Sequence, residues 1–149
     1  MKLATSIITT LIVLSSSVFA EPKVLEFEKP ILLQARKVLP FEVRPGTFFD
    51  LVLMNTNEMF VSAQLSSNIY DFYGNVAIPK GSQLFGSVTE KRGERIAIKW
   101  NSLQIPSLGT LKLDPPIFAT MRDGSAGVTE LKPGGMIGAI NGESFIIPH

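Results

Sequence analysis

The chain has 149 residues, enough for one domain with a hydrophobic core and too few for two. It has no cysteine, which excludes disulfides and thiolate metal sites, and its 14 basic and 13 acidic residues create no field to steer nucleic acid or anionic lipid. A composition that is 45% hydrophobic and 18% charged excludes a disordered polyelectrolyte, and ten prolines and twelve glycines punctuate the chain as turns do in β proteins.

The first segment in chain order is an address. Lys2 precedes the apolar stretch Ile7 to Leu14, a break at Ser15-Ser16-Ser17, and Val18-Phe19-Ala20, whose small residues suit a signal-peptidase pocket. Residues 1–20 are therefore expected to be a signal peptide cleaved before Glu21. A permanent membrane anchor fits less well, because seven of the 18 residues between Lys2 and Glu21 are Ser or Thr and a stable span needs about 20 mainly apolar residues. Removing the signal takes away Lys2 and no acid, leaving 13 basic and 13 acidic residues, so direct nucleic-acid binding is not expected.

Residues 21–40 read as an N-terminal extension with a short strand, in which Leu25 and Phe27 alternate with Glu26 and Glu28. Residues 41–149 read as one β domain. Its segment Phe48 to Met54 is nearly all apolar, as in a strand covered on both faces. Val61, Ala63 and Leu65 alternate with polar residues; Leu84, Gly86 and Val88 share a face; Ile96, Ile98 and Trp100 point away from Arg95 and Lys99. Turns are expected at Arg44-Pro45-Gly46, Phe72 to Asn75, Pro79-Lys80-Gly81, Lys91 to Glu94 and Pro106 to Gly109. Leu111 and Leu113 make a brief strand that Asp114-Pro115-Pro116 ends or confines to an edge. The glycine-rich stretch from Leu131 to Ile140 would pair with Ser144 to Ile147 through a hairpin at Asn141-Gly142. The fold class is all-β, a small β-barrel or sandwich of about six to eight short strands.

From Phe41 to Gly127 the chain resembles the TrbI-like family of conjugation proteins, in the C-terminal β-barrel domain of the scaffold subunit of type IV secretion outer-membrane core complexes. Carrying the resemblance in order are Arg44-Pro45-Gly46-Thr47, then Phe60 to Asp71 with Gly74-Asn75, and Ile78-Pro79-Lys80-Gly81-Ser82-Gln83-Leu84-Phe85-Gly86. Next come Glu94 to Leu103 around Trp100, Ile105-Pro106-Ser107-Leu108-Gly109, and Asp123-Gly124-Ser125-Ala126-Gly127. Gly46, Pro79, Gly81, Gly86, Trp100, Pro106, Gly109, Asp123 and Gly127 are its structural positions. Gly86 suits a bulge or close backbone approach, and Trp100 a core anchor. The resemblance implies a periplasmic, outer-membrane-associated protein, peripheral to that membrane, in a homo-oligomer or hetero-oligomeric ring with other secretion or conjugation subunits. It departs from the family in showing no inner-membrane anchor and no helical hairpin, so a short version of the scaffold is expected.

No catalytic constellation is found, and neither enzyme activity nor a cofactor is expected. The one histidine is His149; Asp50, Asp71, Asp114 and Asp123 stand near turns, where Asp bonds its own backbone; no Gly-x-Ser-x-Gly elbow and no phosphate loop occurs. Candidate interface residues are the aromatics near turns: Phe48, Tyr70, Phe72, Tyr73, Phe85 and Phe118. For the cluster Tyr70 to Tyr73, packing inside a hairpin is an equal alternative. The competing function is a free periplasmic or secreted binding module on the same fold.

Overall fold

The alternating segments of the sequence become the staves of a closed wall in the structure, a computed structural model that describes residues 35–57 and 59–149. The signal peptide, its cleavage site before Glu21 and the strand around Leu25 and Phe27 lie outside the described residues. Arg36–His149 is one compact unit, all-β, with no helix among the described residues.

Six strands close the barrel, each antiparallel to its neighbours: β2 (Phe48–Thr56), β3 (Val61–Leu65), β6 (Gln83–Arg92), β7 (Arg95–Ile105), β8 (Gly109–Thr120) and β9 (Met136–Ile140), with β9 returning to β2. This settles the choice between barrel and sandwich. Two small sheets flank the wall: β1 (Glu42–Val43) with β10 (Phe145–Ile146), and β4 (Ile69–Tyr70) with β5 (Val76–Ile78).

Period-two patterning fills the interior. Phe49, Leu51 and Leu53 point in from β2, Val61, Ala63 and Leu65 from β3, Leu84 from β6, and Ile98 and Trp100 from β7, all essentially free of solvent. After Trp100 the inward residues are Leu103 and Ile105, a change of phase. The cause is a β-bulge: Trp100 is opposite Gly86 and Ser102 opposite Phe85, which leaves Asn101 as the extra residue.

Three local expectations are corrected. β2 is not covered on both faces, since Phe48 and Met54 are exposed; a barrel has one interior, so the second apolar face of this strand lies outside. β8 does not stop at the prolines. It runs through Asp114-Pro115-Pro116, with a cis bond at Asp114–Pro115, because residues 113–116 bulge out of the pairing with β7 between Lys112 and Ile117. The prolines thus need no ladder partner, and the strand continues beyond them. Finally, Asn141-Gly142 is not a hairpin turn. β9 pairs with β2 and β8, while β10 pairs with β1. The buried Asn141 holds this divergence: its side-chain Nδ2 donates to the backbone carbonyls of Arg44 and Glu143 at 2.8 Å each, and its backbone carbonyl accepts from Gly46 N at 2.9 Å.

Candidate functional site

The residues of the matched motifs are placed at the joints of the barrel. Gly46 and Gly109 lie at the turns entering β2 and β8, the latter following Pro106. In the Pro79-Lys80-Gly81 turn, Ser82 N donates to Pro79 O, and Gly81 N reaches Leu65 O at 2.9 Å, tying the β5–β6 joint to β3. Asp123 accepts from the backbone N and the hydroxyl of Ser125 at 2.9 and 2.6 Å, shaping a loop whose far end, Gly127, leads into Val128 and its paired hydrogen bonds with Ile96 of 2.7 and 2.8 Å. Trp100 is fully buried and its indole nitrogen has no hydrogen-bond partner in the structure.

Two glycines are fixed by close approach. A Cβ on Gly86 would overlap the Lys99 carbonyl on β7, and a Cβ on Gly138 would overlap the ring of Phe48. Phe48 therefore lies across the glycine of the neighbouring strand, which accounts for its being only 36% exposed.

Charged groups do structural work here. Asp71 takes hydrogen bonds from the backbone of Phe41 (2.8 Å), Tyr73 (2.9 Å) and Asn75 (2.8 Å) and from the Asn75 side chain (2.8 Å), so it joins the β4–β5 turn to the residue before β1. Burial pushes its carboxyl up, but these hydrogen bonds outweigh burial and hold it below its usual range. Glu42 is also lowered, first by the backbone N–H of Leu39, against desolvation and with help from Arg36, which bridges to it. Asp123 is lowered chiefly by the Ser125 hydroxyl. Asp50 departs from expectation: it sits within β2, 3.5 Å from Arg122, and not in a turn. No group of three or more metal-ligating side chains occurs among the described residues, and His149 stacks on Phe41 with ring centroids 4.0 Å apart.

A pH dependence follows. These carboxyls have lower pKa values folded than unfolded, so their stabilisation is complete above the unfolded carboxylate range near pH ~4 and is lost as pH falls through the folded values. Thermal melts followed by circular dichroism should be flat from neutral pH to about pH 5 and fall below that. Asp71→Asn should lower the melting temperature at neutral pH and shrink the acid-side fall; an unchanged acid limb would remove Asp71 from this role.

The six candidate aromatics are all at the surface, but in three separate places. Tyr70, Phe72 and Tyr73, each more than half exposed, belong to the β4–β5 hairpin, where Phe72 and Tyr73 meet edge-on at 5.5 Å and Arg44 lies 5.3 Å over the Phe72 ring. Hairpin-core packing is thereby excluded for these three; the buried member of the segment is Asp71. Phe48 and Phe118 share the outer face of β8, β9 and β2, each directly opposite Ile140 across the sheet. Phe85 lies on the other side of the barrel, in an open groove of about 520 Å³ with Met59 and Phe60. Met59 and Phe60, 70% and 71% exposed, were not among the expected residues. Phe60 was legible, being in phase with the outward Ser62 and Gln64 of β3. A smaller, mainly apolar cavity of about 160 Å³ is lined by residues 111–117 of β8 and by the segment 141–146. That volume is below the roughly 300–1,000 Å³ of small-molecule sites.

No family model matches the chain, and no curated protein matches it. Among solved structures it is similar to ComB10 of the Com type IV secretion system of Helicobacter pylori, at 18% identity and a TM-score of 0.52, covering 72% of this chain and 92% of that chain. At this identity the likeness is one of fold: the barrel is of a kind found in a type IV secretion component.

Proposed function

We propose that this chain is a non-enzymatic structural subunit of a bacterial type IV secretion or conjugation apparatus, a TrbI-like barrel exported to the periplasm and assembling at the outer-membrane core complex. The observation that carries the reading is the shared barrel, which spans nearly all of the ComB10 chain. Its surface supports the same reading. Large exposed apolar side chains sit on the outside of a filled barrel, the property of a protein that docks on others.

A crosslinked pull-down from the native envelope, read by mass spectrometry, tests the proposal. Recovery of outer-membrane secretion or conjugation subunits in stoichiometric amounts is expected; recovery of the protein alone as a soluble monomer overturns it. Within that assembly, the double substitution Tyr70→Ala and Phe72→Ala is expected to leave the melting temperature nearly unchanged, since both side chains are exposed, and to reduce co-purification by about tenfold or more, as loss of interface anchors does. Undiminished co-purification would remove this hairpin from the interface.

A further inference from the structure

The charged groups around the β4–β5 hairpin are segregated by depth. Residues 36–46 and 68–81, which meet where Phe41 bonds to Asp71, carry the basic Arg36, Lys37, Arg44 and Lys80 and the acidic Glu42 and Asp71. Both acids are buried and committed within the chain: Glu42 to Arg36 and the Leu39 N–H, Asp71 to the four hydrogen bonds described above. Lys37, Arg44 and Lys80 are exposed, and none of the three makes an ion pair with the described residues, whereas Arg92, Lys112 and Arg122 pair with Glu90, Asp114 and Asp50. The fold brings each of these three cations to a different exposed ring. Arg44 lies over Phe72. The Tyr73 hydroxyl donates to Val38 O at 2.8 Å, next in the chain to Lys37. Asn68 joins Lys80 to Tyr70: its Oδ1 accepts from Lys80 N at 2.7 Å, and its Nδ2 donates to the Tyr70 hydroxyl at 3.3 Å.

We infer that this hairpin face takes an acidic segment of a partner protein, its carboxylates meeting Lys37, Arg44 and Lys80 and its apolar side chains lying on Tyr70, Phe72 and Tyr73. Charge complementarity carries the argument. With the local acids buried and already satisfied, the surface here presents cations and rings, in a chain whose 14 basic and 13 acidic residues otherwise nearly balance. A guanidinium stacked on a ring still offers its N–H donors edgewise, and these match a carboxylate in pairs. Tyrosine and arginine are also the residues that dominate protein–protein hot spots. Three cations fall short of the roughly 4–8 that hold an anionic membrane and the roughly 6–10 phosphate contacts of a duplex-binding protein. The face is set before any partner arrives. Through its bond to Phe41, Asp71 fixes the hairpin against the segment that carries Lys37 and Arg44, so little ordering is left to be done on binding.

This inference rests on the assembly reading above, whose partner it describes, and it is tested apart from that reading on the purified protein. The probe is a synthetic peptide in which pairs of glutamates alternate with single leucines, and the same peptide with glutamines is the control. Titrated into isotope-labelled protein, the acidic peptide should shift amide resonances within residues 36–46 and 68–81. It should bind more tightly than the control and lose affinity as added salt screens the charges. Replacing Lys37→Gln, Arg44→Gln and Lys80→Gln together should weaken it roughly tenfold, at about twofold for each exposed pair. The melting temperature of that variant should be nearly unchanged, since all three side chains are exposed. Equal binding of the glutamine peptide, an unaffected triple variant, or shifts centred instead on Lys91, Arg92 and Arg95 at the β6–β7 tip would overturn the proposal. Tighter binding to phosphatidylglycerol vesicles or to a single-stranded oligonucleotide would overturn it in favour of those anions. Peptide binding without secretion subunits in the pull-down would keep the acidic site and reject the secretion reading. Recovery of those subunits undiminished by the triple substitution would keep the secretion reading and reject this one.

Discussion

Trp100→Ala is expected to cost about 3–5 kcal/mol, a large part of the 5–15 kcal/mol that holds a domain of this size. The side chain is the largest of those fully buried and sits on β7 between Gly86 of β6 and Ile117 of β8, so its removal opens a hole between three strands of a closed wall. Such a wall collapses poorly, because each strand is fixed by hydrogen bonds on both sides, and the cavity part of the cost is kept in full. Trp100→Phe separates packing from polarity. The indole N–H makes no hydrogen bond in the structure, so the smaller ring loses volume alone, and a cost of about 1–2 kcal/mol is expected. Urea unfolding followed by fluorescence of an added probe or by circular dichroism measures both. Equal losses for the two variants would mean that the indole nitrogen is engaged or that the site relaxes.

The barrel interior was legible because its signal is local. Val61, Ala63 and Leu65, or Ile96, Ile98 and Trp100, declare their inward face by spacing alone, and turn residues mark the ends. What failed were pairings of distant segments. The tail hairpin at Asn141-Gly142 was a sound local expectation, overruled because β9 can close the barrel against β2 and β8 whereas a free hairpin cannot. The prolines of β8 were read correctly as unable to join a ladder. That a bulge would carry the strand past them depends on β7, which the sequence of β8 does not display. Asn101 left a trace that was available: inward residues at even positions up to Trp100 and odd ones from Leu103 onward require one inserted residue.

The candidate surface was half legible for a related reason. Aromatic residues near turns stand out in a list, and all six proved exposed. Their grouping did not, since Phe48 and Phe118 are 70 residues apart in sequence and become neighbours only through Ile140 of the strand between them. Phe60, 71% exposed, is in phase with the outward Ser62 and Gln64 of β3, so its exposure could be read from spacing. Asp71, the buried carboxylate that organises the β4–β5 turn, was noted as a turn residue, but its bond to Phe41 spans 30 positions and has no local signature.

Gly86→Ala carries the second large effect, and it tests that dependence on distant pairing. Alanine is ordinarily harmless in a strand, and gains a few tenths of a kcal/mol over glycine by restricting the unfolded chain. Here the added methyl would overlap the Lys99 carbonyl, with the Trp100 Cα 3.0 Å away. The obstacle is backbone in a paired strand, so no side chain can turn aside. Relief requires β6 and β7 to separate at the bulge where Gly86 faces Trp100. A loss of about 2–3 kcal/mol is expected, at the upper end of overpacking, with weakened hydrogen-exchange protection along Ser87, Lys99 and Trp100. A variant as stable as the parent would show that the two strands are free to part there, and the barrel would then be held at this seam by its hairpin at Arg92 and Arg95 and not by the bulge.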